Sequence, residues 1–262
     1  MLTLTTLASG SSGNCLLVDD GTTRVLVDAG ISCRRICKAL RELGVEPSEL
    51  SGVFITHEHS DHISGLTTLT KQFRLPVYAS KGTALQLCHR IAFLEDVIHP
   101  FAAGERLSVG SLEAASFQTP HDAADSVGYT FCNGMRKAAV VTDLGVVTDS
   151  VLQNVWGAHL LVVESNHDVE WLTSGPYPYH LKQRILGEKG HLSNEAGAEL
   201  ACTAAQGGAR TILLAHLSKE NNTPRQAYDT ACGLLERRGV AVGQEVTLEV
   251  APQSETGRRH EV

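Results

Sequence analysis

No stretch of this chain is apolar for long enough to cross a bilayer as a helix, which takes roughly 20 consecutive apolar residues. No basic segment followed by an apolar run stands behind Met1, and the seven cysteines contain no Cys-x-x-Cys pair. An odd cysteine count without paired spacing argues for free thiols in a reducing compartment, so a cytoplasmic location is expected. Cys15, Cys33, Cys37, Cys88, Cys132, Cys202 and Cys232 then read as small core residues. Internal repeats and low-complexity tracts are absent as well. Positive charge is in short supply: 22 Lys and Arg stand against 29 Asp and Glu, a formal −7. Taken alone, that balance disfavours a partner held through phosphate by basic side chains.

What is present is apolar material and rhythm. A chain of 262 residues that is 42% hydrophobic can fill a sizeable core. Without an internal linker it reads as a single domain over residues 1–252, and the polar stretch 253–262 is expected to be a disordered tail. Strands are predicted at Leu2–Leu7, Cys15–Val18 and Arg24–Asp28, divided by the turn signals Ser9-Gly10-Ser11-Ser12-Gly13-Asn14 and Asp20-Gly21. Others follow at Glu113–Gln118, Ser126–Phe131, Lys137–Thr142, Leu160–Glu164, Thr211–Ala215 and Glu245–Val250. Ile36, Leu40 and Leu43 recur at helical spacing before Gly44, and helices are predicted over Asp61–Phe73, Thr83–His89, Asp149–Val155, Asn194–Ala205 and Pro224–Arg238. Strands and helices mixed in this way suit an α/β (α+β) arrangement of sheets with helices packed outside.

Chemistry concentrates in residues 56–62, Thr-His-Glu-His-Ser-Asp-His, directly after the apolar run Val53-Phe54-Ile55. His57 and His59 alternate with non-ligands, so both can face one side of an extended loop. Asp61 and His62 point elsewhere once the chain turns into a helix, which makes two adjacent donor sets. Imidazole nitrogen and carboxylate oxygen suit a borderline dication such as Zn²⁺, and the carboxylate also admits a harder ion such as Mn²⁺. A merely solvated loop has no use for three His and one Asp within six residues.

The string His-x-His-x-Asp-His, followed by Ile63-Ser64-Gly65-Leu66, resembles the signature of the metallo-β-lactamase-fold hydrolases. That resemblance calls for a His, a carboxylate and a final His downstream, each at a strand end. His121 after Leu112–Thr119, Asp143 closing Ala138–Asp143 and His216 closing Thr211–His216 meet it in order. It implies the metallo-β-lactamase four-layer αβ/βα sandwich and two divalent metal ions (Zn or Mn). His57, His59 and His121 would hold one, Asp61, His62 and His216 the other, and Asp143 would bridge. Gly190-His191-Leu192-Ser193-Asn194 and the strand-end Glu164 are similar to motifs of ribonuclease Z and its PhnP-type phosphodiesterase relatives. By that likeness His191 is a general acid that protonates the leaving oxygen, Glu164 is its partner, and Asp61 can orient the attacking water besides binding metal. A carboxylate beside the imidazole raises its pKa and keeps the acid protonated. The competing reading is that His191 caps the helix starting near Ser193.

Ser9–Asn14, Glu164–Asp168, Gly175–Pro178, Leu181–Ile185, Gly190–Asn194 and His216–Asn222 together resemble the bacterial YycJ/WalJ family over most of the chain. The resemblance implies a metal-dependent nuclease with 5′-to-3′ exonuclease action, hence DNA as partner and no membrane; the oligomeric state is left open. Two bound dications would place positive charge where a phosphate sits, which the net charge omits. Arg34, Arg35, Lys38 and Arg41, like Lys182, Arg184 and Lys189, form either solvated faces or a nucleic-acid track. The Ser9–Asn14 loop is either a plain turn or a phosphate cradle, Tyr177 and Tyr179 either pack a loop or stack on bases, and His167 either lines the site or does not. A cyclic-nucleotide or cyclic-ribose phosphodiesterase would share nearly every residue. A thioesterase of the glyoxalase II type would share the metal ligands but has no need of the His191/Glu164 pair.

Overall fold

Val53, Phe54 and Ile55 are consecutive and all buried, so the strand they form requires an apolar layer on each face. The computed structural model, which describes residues 1–262, supplies those layers with two seven-stranded sheets packed face to face and helices outside each. In the first sheet β1 (Thr3–Ala8), β2 (Cys15–Asp19), β3 (Arg24–Val27), β4 (Gly52–Ile55), β5 (Val77–Ser80) and β6 (Ile98–Phe101) lie side by side in that order. In the second the order is β7 (Arg106–Val109), β8 (Leu112–Gln118), β9 (Val127–Cys132), β10 (Lys137–Val141), β11 (Leu160–Glu164), β12 (Thr211–Ala215) and β13 (Thr247–Val250). Each sheet opens as an antiparallel meander and continues with parallel strands, from β3 onward in one and from β10 onward in the other.

Side-chain alternation sorts the core into three clusters. Phe54 points between the sheets, where it meets Tyr78 (4.7 Å between ring centroids), Tyr129 and Phe131 (5.3 Å each). Val53 and Ile55 point outward, under α1 (Cys33–Glu42), α3 (Leu66–Phe73) and α4 (Lys81–Arg90). The second sheet is covered likewise by α5 (Asp149–Val155), α8 (Asn194–Gln206) and α9 (Pro224–Arg237). The short helices α2 (Ser60–Ile63), α6 (Val169–Ser174) and α7 (Tyr179–Leu186) belong to the loops at the ends of the strands. All seven cysteines are free, and four of them are buried.

Two expectations need correction. Residues 253–262 are not a disordered tail. Gln253 Nε2 donates to Leu217 O (3.2 Å), Gly257 N–H to Thr6 O (2.8 Å), and β14 (His260–Glu261) pairs antiparallel with β1 as the seventh strand of the first sheet. The reason is that β1 would otherwise present an open edge, and backbone groups in need of partners leave no trace in composition. The helix predicted over Asp61–Phe73 is also split at Ser64-Gly65. Gly65 N–H donates to Ala29 O (2.8 Å), and a Cβ on Gly65 would stand 2.1 Å from Ile31 O, an approach only glycine permits.

Phe54 joins three aromatic neighbours at 1% exposure, so its truncation leaves a cavity that rigid strands cannot close. Phe54→Ala should cost about 3–5 kcal/mol of unfolding free energy in a denaturant titration. A loss under about 1 kcal/mol would mean the two sheets are not packed through this residue.

Candidate metal centre

The carboxyl ends of the parallel strands open on one side of the sandwich, and the sequence there supplies ligand-type side chains at several strand ends. β4 leads into residues 56–62, β8 into His121, β10 into Asp143, β11 ends at Glu164, and β12 leads into His216. Such an edge is where open α/β sheets gather their sites. Three of the turns away from strand ends pass through left-handed backbone at non-glycine residues: Asp28 (φ 61°), Asp143 (φ 59°) and His216 (φ 56°). Strain of this kind is kept only where the surroundings enforce it.

All seven residues expected as ligands come together. His57, His59 and His121 offer nitrogens within 4.8 Å of one another, and so do the donor atoms of Asp61, His62 and His216. Asp143 lies between the two groups, Oδ2 3.4 Å from His62 Nε2 and Oδ1 3.9 Å from His121 Nε2. Asp61 Oδ2 is 3.4 Å from both His62 Nε2 and His216 Nε2. Two donor atoms, His57 Nε2 and Asp143 Oδ2, are buried without any hydrogen-bond partner. Orphaned donors facing a shared centre, on residues of mixed imidazole and carboxylate type, fit a divalent cation.

The opposite nitrogen is tied back into the protein in four of the five rings, His59 being the exception. His62 Nδ1 donates to Asp28 (2.8 Å), His121 Nδ1 to Gly190 O (3.0 Å), His216 Nδ1 to Glu164 (2.8 Å), and His57 Nδ1 meets Thr56 Oγ1 (3.1 Å). Partners of this sort hold the tautomer and aim the free nitrogen. Burial lifts the Asp28 carboxyl above its ordinary range, although His62 and the Thr56 N–H and hydroxyl pull the other way. Burial depresses His57 well below the usual imidazole value, and its His neighbours add to this. For His216 burial is outweighed by Asp143, Asp61 and Glu164, which push it up to about 10.

The Ser9–Asn14 loop proves to be support for this centre. Ser9 Oγ accepts the His216 N–H (2.9 Å), and Asn14 N–H donates to Asp61 O (2.8 Å) while its side-chain amide reaches His62 Nε2 (3.2 Å). Gly30 lies so close beneath Asp61 that a Cβ would fall 1.6 Å from the Asp61 carbonyl oxygen.

Glu164 ties two imidazoles and two backbone amides together. Oε1 accepts from both His191 Nδ1 and His216 Nδ1 at 2.8 Å, and Oε2 accepts from Leu144 N–H (3.2 Å) and Leu192 N–H (3.0 Å). Burial would raise its pKa, but the charge on His191 and these hydrogen bonds hold it below the ordinary carboxylate range. Asp143, Glu164, His191 and His216 also lie close enough to form a ligand set, yet the nitrogens concerned already point at Glu164 as hydrogen-bond donors. Burial would lower His191; the charge and hydrogen bond of Glu164, with Asp143, raise it above the usual imidazole value. The capping reading of His191 fails, because Ser193 Oγ caps α8 by accepting the Ala196 N–H.

These groups line a cavity of about 260 Å³. Asp61, Asp143, His191 and His216 contribute to it, as do Ser11, Ser218 and, from the α6–α7 segment, Tyr177, Leu181, Arg184 and Ile185. His167 does not line it; that side chain is buried with both ring nitrogens unpartnered. Asp28 and Thr56 went unrecognised in the sequence, although Asp28 closes an apolar strand much as Asp143 does.

Residues 23–217 match the beta-lactamase superfamily domain. The chain is 40% identical to the exodeoxyribonuclease YycJ of Bacillus anthracis, over 91% of this chain and 90% of that one. It is 37% identical to the exodeoxyribonuclease WalJ of Streptococcus pneumoniae, over 95% and 94%. The crystal structure of the metallo-beta-lactamase fold protein YhfI from Bacillus subtilis superposes over the whole of both chains with a TM-score of 0.73 at 18% identity.

Among the candidate ligands Asp28 touches only His62, its other hydrogen bonds coming from Thr56, so its removal separates orientation from ligation. Asp28→Ala should weaken divalent-metal affinity about 10–100-fold, measured by competition with a chromogenic chelator. Unchanged affinity would show that His62 is aimed without it.

Proposed function

The chain belongs to the beta-lactamase superfamily domain family, in its YycJ/WalJ branch, and on that premise we propose that it is a metal-dependent phosphodiester hydrolase that degrades DNA as a 5′-to-3′ exonuclease. The observation that carries the reading is the Glu164–His191 pair at the cavity, a proton donor held beside a ligand cluster. A thioesterase, whose thiolate leaves without a proton, has no use for it. The polymer is supported by two near-full-length relatives that are named exodeoxyribonucleases.

His57, His59 and His121 would hold one dication, and Asp61, His62 and His216 a second, with Asp143 between them; Zn²⁺ or Mn²⁺ there would supply the Lewis acidity that activates water and neutralises phosphate. Asp61 accepts a hydrogen bond from the attacking water and turns its lone pair toward phosphorus. As the phosphorus–oxygen bond breaks, His191 gives its Nε2 proton to the departing sugar oxygen, leaving a phosphate monoester and a sugar hydroxyl. Glu164 keeps His191 protonated beforehand and carries its charge through the ion pair. Because Glu164 also orients His216, acid catalysis and ligand placement share one carboxylate.

On end-labelled linear DNA, closed circular DNA, RNA and a cyclic nucleotide, the Mn²⁺- or Zn²⁺-loaded protein should release nucleotides from the 5′ end of linear DNA. Rapid hydrolysis of the cyclic nucleotide with none of DNA would make it a small-molecule phosphodiesterase instead.

His191→Ala should keep about two metal ions per chain by elemental analysis, yet lose about 10²–10⁴-fold in the chemical step on DNA. On a nitrophenyl phosphodiester, whose leaving group departs unprotonated, the loss should be much smaller. Glu164→Gln should impair both substrates, because it also loosens His216. Equal losses on both substrates, or a missing ion in His191→Ala, would make His191 a ligand.

A further inference from the structure

His57 and His59 aim at one centre, so the side chain between them leaves the extended loop on the opposite face. That residue is Glu58, and it is buried, at 6% exposure. Its carboxylate has only neutral hydrogen-bond partners: Oε1 accepts the Ala124 N–H (2.9 Å) and Oε2 the Thr83 hydroxyl (3.5 Å). Carboxylates are rarely buried without a cation, and an apolar residue there would be easier on the fold. What the arrangement supplies is a link, because Ala124 lies three residues beyond His121, in the loop that brings in the third ligand. Helix α4 completes a bracket around the two loops. At its start Ser80 Oγ (2.5 Å) and Thr83 Oγ1 (3.3 Å) donate to Asp125 O, and the Gly82 N–H donates to Asp125 Oδ2 (3.3 Å). At its end Arg90 donates to Glu58 O (3.0 Å).

We propose that Glu58 is a positioning residue of the metal centre, holding the 121–125 loop where His121 meets an ion shared with His57 and His59. The inference rests on the two-ion reading and assigns the means by which this chain assembles one half of that centre. His57 and His59 follow β4 in one sheet, but His121 arrives 62 positions after His59, from β8 in the other. One tripeptide therefore carries two ligands on one face and, on the other, the acceptor that fixes the third. The 3.3 Å between His59 Nδ1 and His121 Nε2 is set through that clamp. Reach matters here and charge does not. A Gln at this position still places an oxygen at the Ala124 N–H, and its amide nitrogen donates to Thr83 Oγ1 while that hydroxyl donates to Asp125 O. An Asp keeps the charge but is one methylene short. None of the hydrogen bonds of Glu58 reaches Asp61, His62 or His216, so only one of the two ligand groups depends on it.

The test uses the full chain loaded with Zn²⁺, with metal content read by elemental analysis and affinity by competition with a chromogenic chelator. Glu58→Asp should weaken the ion of His57, His59 and His121 about 10–100-fold, so that dialysis removes it while the other ion stays. Glu58→Gln should hold both. The core truncation Leu40→Ala, in α1, should lower the melting temperature and still hold both, which separates positioning from general loosening. In an Asp61→Ala background, which keeps only the ion of the first group, adding Glu58→Asp should leave none. Glu58→Asp with both ions at wild-type affinity, Glu58→Gln as impaired as Glu58→Asp, or a double variant that still holds an ion would overturn the clamp. A wild type that never takes up a second ion would instead remove the two-ion reading, and it shows itself before any variant is made.

Discussion

Converging the nitrogens of His57, His59, His62, His121 and His216 on the carboxylates of Asp61 and Asp143 is the constraint from which the rest of the architecture follows. Buried donors of this kind are stable only if each ring is locked at its far side and something occupies the centre. Asp28, Thr56, Glu164 and the Gly190 carbonyl do the locking for the four buried rings, while His59 is half-buried and faces His121. They in turn demand strand ends at matched heights, a loop from Ser9 to Asn14 that braces Asp61 and His216, and a glycine at position 30 on which Asp61 can lie. Two packed sheets provide the heights, because their parallel strands end on one side of the sandwich.

Glu164 makes the centre and the acid a single unit. Four hydrogen bonds converge on its two oxygens, two from imidazoles and two from backbone N–H groups of chain segments on either side. That saturation is what lets a fully buried negative charge persist. It also means that a displacement of the 190–192 loop would be felt at His216, on the opposite flank of Glu164.

Much of this was legible in the sequence, for a physical reason. Short apolar runs that end in His or Asp announce both a strand and its chemistry, which is why β10, β11 and β12 and their terminal ligands stood out. Strands β5, β6 and β7 were missed because their outward positions are partly wet and their runs short. α6 and α7 were missed because α7 has no buried stripe, so no apolar period marks it. Asp28 was hidden by its ordinary role as a strand's last polar residue; its partner His62 is 34 positions away. The likeness of the two sheets, each a meander followed by parallel strands, lies in backbone pairing and not in residue identity, so no repeat showed in the sequence. β14 is the same lesson at small scale, since an edge recruits any extended backbone.

The left-handed turns at Asp143 and His216 have an implication for how such a protein can be altered. Each holds a side chain in backbone that costs on the order of 1–3 kcal/mol and that glycine adopts freely. At Asp143, whose buried Oδ2 has no hydrogen-bond partner, the residue best for the fold and the residue best for the chemistry are different, whereas at His216 the hydrogen bond to Glu164 offsets the strain. Selection on folding alone, as in a screen for heat-resistant variants, would drift toward glycine at position 143 and return a sturdier molecule with a weakened centre. Library designs that aim at stability should therefore hold the codon for Asp143 fixed.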